Sequence, residues 1–174
     1  MKWALWALGI VVALIAAILL VGSLLPKQHT ATRAARFHQP PEKIWSAITD
    51  YSKFPEWRKS VTRVEGLPSV NGNPSWREFD KYDHSMPYEI VESNPPQRLV
   101  TRIADPNLPF GGAWTYEVTP QADGSSMLRI TENGEVRNVV FRFVARFFMG
   151  YTKTMESYLS ALGEKFGEKT ILEN

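Results

Sequence analysis

The sequence predicts an α+β domain: a curved antiparallel sheet of seven strands closing over one long carboxy-terminal helix, with a single apolar helix ahead of it. Three observations carry this. From Val139 to Phe166 there is no proline, and large apolar residues return every three or four positions. They are Val140, Val144, Phe147, Phe148, Tyr151, Met155, Tyr158, Leu159, Leu162 and Phe166, the stripe of a helix with one buried face. As one rod it would run about 40 Å. Between Arg33 and Val136 the chain reads as short strand-like runs parted by turn residues. Residues 3–25 carry no charge.

Composition sets limits. The chain has 174 residues, a net charge of +2 and no dense basic block, so it offers nucleic acid no electrostatic footprint. It has no cysteine, which rules out disulfides, thiolate chemistry and cysteine-ligated zinc. The chain divides as a span at 1–26, a linker at 27–32, a domain at 33–168 and a tail at 169–174. About 148 residues beyond the span suffice for one domain with a true core.

The amino-terminal run is long enough to cross about 30 Å of hydrocarbon as a helix. Trp3 and Trp6 stand where interfacial aromatics anchor a span, and Pro26 and Lys27 end it. Val21-Gly22-Ser23 also has the small residues of a cleavage site, but the apolar run exceeds the length of a signal core, so a retained anchor is expected. The two-residue amino tail favours a domain on the non-cytoplasmic side.

A first strand is expected near Thr32–Phe37, after a polar linker. Pro40-Pro41-Glu42 then suits a helix start, and Ile44, Trp45 and Ile48 are spaced for one buried face. Asp50-Tyr51-Ser52 interrupts that helix, and Phe54-Pro55-Glu56-Trp57 makes a second short turn. Strands follow at Val61–Glu65, Ser75–Lys81, Met86–Glu92, Arg98–Ala104, Ala113–Thr119 and Met127–Val136. Asn71-Gly72-Asn73-Pro74, Asn94-Pro95-Pro96-Gln97 and Ala122-Asp123-Gly124-Ser125 punctuate them, the Asp-Gly pair being a strong hairpin signal. Asn133-Gly134 predicts a bulge or a bend in the last strand. Alternation puts Trp114, Tyr116 and Val118 on one face. It also puts Leu128, Ile130 and Glu132 together, so a carboxylate points inward and needs a partner. Trp76, Glu78 and Asp80 likewise share a face. Gly150, inside the long stripe, marks either a bend or a close backbone contact.

In this order, Pro40-Pro41-Glu42-Lys43-Ile44-Trp45, Thr49-Asp50-Tyr51, Phe54-Pro55-Glu56-Trp57, Asn94-Pro95-Pro96-Gln97-Arg98-Leu99 and Gly111-Gly112-Ala113-Trp114-Thr115-Tyr116 resemble the START-like, or SRPBCC, superfamily, which includes polyketide cyclase/dehydrase-like proteins. The resemblance runs from about Arg33 to Phe166. It implies a helix-grip fold, a sheet wrapped round the last helix with an apolar cavity between them. It carries over no shared catalytic set. The amino-terminal span lies outside it.

Beside that resemblance, Trp76, Tyr88, Trp114, Tyr116, Phe148, Tyr151 and Met155 are candidates to line a cavity, the alternative being that they only fill a core. Glu132, Glu78 and Arg102 are candidates to orient a ligand or to act as an acid–base set, the alternatives being a structural Glu–Arg pair or a glutamate in water at an open mouth. Asp80, Asp83 and His84 read as a solvated hairpin tip rather than a metal site. Arg142, Arg146 and Lys153 form a charged helix side, open to solvent or to lipid headgroups. No nucleophile elbow, Walker loop or dinucleotide fingerprint occurs, so no catalytic residue, metal or cofactor is assigned. The expected partners are an apolar small molecule or lipid, and a membrane. The alternatives are a cyclase- or dehydratase-type enzyme and an interaction module with a filled core.

Overall fold

A computed structural model describes residues 2–70 and 72–173. Asn71 of the expected Asn-Gly turn and the two terminal residues lie outside the described residues. Helix α1 (Lys2–Leu24) leads into β1 (Gln28–Phe37), so the polar stretch expected as a linker already pairs as strand. Its small and polar residues give no hydrophobic signal, but ten consecutive backbone partners on β7 hold it extended.

Helix α2 (Pro41–Thr49) starts with Pro41 in its first turn and buries Ile44, Ala47 and Ile48. A 3₁₀ turn (Tyr51–Lys53) and the four-residue α3 (Phe54–Trp57) follow, and Phe54 and Trp57 go into the core. Six strands then meander: β2 (Arg63–Val70), β3 (Asn73–Phe79), β4 (Ser85–Asn94), β5 (Arg98–Ile103), β6 (Phe110–Pro120) and β7 (Ser126–Val136). A two-residue β8 (Leu172–Glu173), formed from the tail, pairs with β1 and adds an eighth strand to the seven expected. The order is β2-β3-β4-β5-β6-β7-β1-β8, every ladder antiparallel. β1 skips to the far side of β7, which curls the sheet around the helix that follows β7.

The bulge expected at Asn133-Gly134 is absent. Both neighbours of β7 keep register through it, with His29 opposite Gly134 on one side and Gly112 opposite it on the other. Gly134 serves space instead: a Cβ there would run into the His29 ring.

The largest correction concerns the carboxy-terminal helix. It is two pieces. Helix α4 (Val139–Val144) runs into a π turn (Ala145–Met149), and α5 (Lys153–Phe166) starts after a break. Gly150 sits at φ 73°, a left-handed conformation that a helix cannot contain. A Cβ at Gly150 would meet nothing within 4 Å, so of the two readings of this glycine the bend is right and the close contact is not. The break also splits the apolar stripe. Met155, Tyr158, Leu159 and Leu162 are buried against the sheet with Phe37, Leu128 and Ile130, while Phe147 and Phe148 remain exposed. Arg142 is buried rather than part of a charged side: its Nη1 donates to the Leu25 carbonyl at 2.9 Å, at the end of α1. A cation there also suits the negative end of a helix. Helix α1 otherwise touches the domain at Gly22, whose bare Cα lies against the Val139 carbonyl.

Candidate functional site

The inner face of the sheet, α2, α3 and the segment around Gly150 enclose a cavity of about 400 Å³. Strand parity explains its lining. Trp76 pairs across β3–β4 with Tyr88, and Tyr88 across β4–β5 with Ile103. Thr101 pairs across β5–β6 with Trp114, and Trp114 across β6–β7 with Glu132. Partners in register share a face, so one choice of inward residue sets the rest. Ile48, Phe54, Met86, Ile103, Phe110 and Val136 supply apolar wall. A wider groove of about 710 Å³ lies on the opposite, polar face, past Thr30, Glu89, Asn133 and Arg137.

Two polar stations interrupt the apolar wall. At the deep end, Arg58 Nη1 lies 2.8 Å from Glu78 Oε1, and Trp76 Nε1 donates to the same oxygen at 3.1 Å. The two charged side chains are 15% and 9% exposed, so this is a largely desolvated pair. The guanidinium also lies over the rings of Phe54 and Tyr158, 4.7 and 5.2 Å from their centroids. Burial works against its charge, but Glu78 and the neighbouring Tyr158 more than offset that and leave the Arg58 pKa raised. Nearer the opening, Glu132 accepts from Trp114 Nε1 at 2.9 Å and faces His29 Nε2 at 3.1 Å. The His29 ring stacks on Tyr151 with centroids 3.8 Å apart. Glu132 is therefore inward and partnered, as expected, but its partners are a histidine and an indole rather than an arginine.

Of the residues expected to line a cavity, Trp76, Tyr88, Trp114, Tyr116, Glu132 and Tyr151 meet here. Arg102 reaches the rim only. Its side chain is more than half exposed and pairs with Glu89, so it does not serve as the partner of either inner glutamate. Phe148 and Met155 leave the set in opposite directions. Phe148 projects out of the π turn at 71% exposure, and Met155 is fully buried in the core under the sheet. Both follow from the break at Gly150, which rotates the first part of the stripe away from the second. His29 and Arg58 were missed. His29 sits in the stretch read as linker; continuing the alternation of β1 back through Ala35, Arg33 and Ala31 reaches it. Arg58 follows Trp57 in a turn and carries no periodic signal. Asp80, by contrast, accepts from the backbone of Tyr82 and His84 at 2.8 and 2.9 Å, which makes it a turn-stabilising residue of the β3–β4 hairpin.

Tyrosines add the other polar atoms. Burial pushes the Tyr88 and Tyr116 hydroxyls well above the ordinary tyrosine value, with Glu78 adding to the effect. Tyr158 is raised by burial first and then by Tyr116. The sign is plain: these groups stay protonated in the fold where the unfolded chain would release protons above about pH 10. Their contribution is intact below that pH and is lost as pH rises toward the elevated folded values, by about 1.4 kcal/mol per pH unit for each tyrosine. Urea midpoints measured from pH 8 to 11.5 should therefore fall steeply above pH 10, and Tyr158→Phe should flatten the slope by about a third. A level profile through pH 11.5 would mean that these hydroxyls ionise freely in the folded chain.

A family model described as polyketide cyclase / dehydrase and lipid transport matches residues 28–166. No curated protein matches the chain. Among solved structures, a START superfamily protein from Mycobacterium smegmatis is 18% identical with a TM-score of 0.60, covering 79% of this chain and 96% of that one. The Zhui aromatase/cyclase from a Streptomyces species is 12% identical, with a TM-score of 0.62 and coverage of 79% and 93%. Norcoclaurine synthase from Thalictrum flavum is 10% identical, with a TM-score of 0.63 and coverage of 81% and 87%. At such identities these likenesses establish the fold. The match over nearly the whole sheet and last helix makes the chain a member of the polyketide cyclase / dehydrase and lipid transport family, with the wrapped-sheet fold of the START superfamily protein.

Proposed function

We propose that this protein is a membrane-anchored binder of an apolar small molecule or lipid, held in the cavity between the sheet and the carboxy-terminal helical segments. One observation carries the reading: an apolar-walled space of about 400 Å³ with two separated polar stations, in a domain that follows a 23-residue apolar helix. That volume is near the low end for ligand sites. It suits one ring system or one acyl chain, and is small for a two-chain phospholipid. The stations suit a ligand with an oxygen or hydroxyl function at one or both ends, facing Arg58 and Tyr116 within and Glu132 and His29 near the opening. The helix has a mean hydropathy of 2.9 over its most apolar window, which supports a single-pass anchor, and tethering raises the local concentration of a binder near membrane ligands.

The test is native mass spectrometry of the full chain extracted from membranes in mild detergent. A bound species of a few hundred daltons, released on unfolding, is the expected result. A protein that is always empty, and whose tryptophan fluorescence ignores added single-chain lipids, would defeat the carrier reading.

A second reading has its own observation. His29 and Glu132, 3.1 Å apart beside the cavity, have the makings of an acid–base pair, as a cyclase or dehydratase would use on an apolar substrate. When the extracted chain is incubated with an apolar substrate before the same measurement, a released species that differs chemically from that substrate favours this enzyme. Glu132→Gln should then stop conversion and spare binding.

A further inference from the structure

The break at Gly150 leaves α4 and its π turn outside the core, and their surface is unusual. Phe147, Phe148 and Met149 are 57%, 71% and 54% exposed, and Val140 and Phe141 are each close to half exposed. Soluble surfaces rarely gather so many large apolar side chains in ten residues. The patch borders the cavity, since Phe141, Ala145 and Met149 form part of its lining. It is also joined to α1. Gly22 is buried against Val139, and Arg142 donates to the Leu25 carbonyl. Both contacts lie in the last residues of the apolar run, where a spanning helix would leave the hydrocarbon. Arg146, exposed within the same ten residues, and Lys153, exposed just beyond the break, are suited to lipid phosphates.

We infer that α4 and the π turn lie in the headgroup boundary of the bilayer that α1 crosses, with Phe147, Phe148 and Met149 among the upper acyl chains. The cavity then opens onto the bilayer rather than onto water, and its ligand passes sideways between membrane and protein. This rests on the reading of α1 as a retained span. Three physical arguments support the placement. The patch is continuous with the end of α1 through the Gly22–Val139 packing, which keeps α4 at one depth. Aromatic side chains favour the interfacial zone. An apolar helical face with basic flanks sinks about 5–10 Å into that zone. An aqueous route would draw an apolar ligand through water, whereas a mouth edged by Phe141 and Met149 lets it leave the acyl chains without exposure.

The absence of cysteine makes the test direct. A single Phe148→Cys in the full chain, labelled with an environment-sensitive fluorophore, reports on the patch. Ala122→Cys, in the exposed β6–β7 turn, reports on the far end of β7, about 30 Å away. Both are reconstituted in vesicles of phosphatidylcholine with a fifth phosphatidylglycerol. The label at 148 should be quenched by lipids carrying a nitroxide high on the acyl chain and be at least fivefold less open to iodide than the label at 122. Equal iodide access at both sites, with no nitroxide quenching, overturns the placement. So does iodide protection at 148 that appears without nitroxide quenching and fades as protein is diluted in lipid, since a second copy of the chain would then be the cover. The labels read membrane contact whether or not the cavity is filled. A patch seated in lipid on an always-empty protein would therefore defeat the carrier reading alone.

Discussion

Arg58→Met should cost the folded protein about 3–5 kcal/mol, against the roughly 5–15 kcal/mol of stability that a folded domain possesses. The substitution keeps an unbranched apolar stem and removes the guanidinium, both its charge and its N–H donors. What it leaves behind is Glu78, 9% exposed, with Trp76 Nε1 as its remaining donor at 3.1 Å. One neutral hydrogen bond does not replace a guanidinium for a carboxylate taken out of water. The variant also loses the cation over the Phe54 and Tyr158 rings. The measurement is the chemical-denaturation midpoint of the full chain in detergent micelles. Removing the second charge should restore most of the loss, because a pair replaced by uncharged groups of similar size is often near neutral. Arg58→Met with Glu78→Gln is therefore expected to be more stable than Arg58→Met alone. A loss under about 1 kcal/mol for the single variant would mean that the pair behaves like an exposed one.

Ile103→Trp should lower ligand retention at least 100-fold, equivalent to about 3 kcal/mol, while changing stability by less than about 1.5 kcal/mol. Ile103 pairs with Tyr88 and points to the same side of the sheet, into the space of about 400 Å³. An indole there takes up room that the ligand would occupy. The two readouts answer different questions. If the space is as described, the larger side chain enters it without forcing its neighbours off their rotamers. If the interior closes up, overpacking costs about 1–3 kcal/mol, and the stability measurement reveals it before any ligand is identified. Ile103→Phe should fall between the native chain and Ile103→Trp in both measurements. Retention that is unaffected by the indole would move the ligand out of this cavity.

Much of the fold was legible in local sequence. The turns at Asp123-Gly124 and Asn94-Pro95 lie where strands end, because turn chemistry is a property of a few adjacent residues. The inward direction of Glu132 followed from period-two alternation with Leu128 and Ile130, which are fully buried. The start of α2 at Pro41 and its buried Ile44 and Ile48 were equally local. The first strand was legible only in its second half. Gln28 to Thr32 hold no apolar residue larger than Ala31, and pairing with β7 rather than propensity makes them strand.

The candidate site was legible in its aromatic wall and illegible in its charges. Expecting Arg102 to serve the inner glutamates was reasonable from composition, yet Arg102 alternates against Thr101 and Ile103 and so ends up toward the rim with Glu89. The actual partner of Glu78 is 20 residues away in a turn, and the His29 partner of Glu132 is 103 residues away at the start of the sheet. Nothing in the spacing of such residues records their meeting, because the sheet order β7-β1 decides it.

By itself, the sequence determined the order of the first seven strands and the helices, the face that β6 and β7 turn inward, the apolar run at the amino end and the presence of a glycine where the last helix changes. Those are set by sterics and hydrophobic periodicity within a few residues. Only the tertiary structure decided that Gly150 adopts φ 73° and divides the helix, that Phe148 goes outward while Met155 is sealed in, and that α4 docks on the end of α1. A helical stripe gives direction around an axis but is silent on where the axis breaks, and burial is a property of what arrives from elsewhere in the chain.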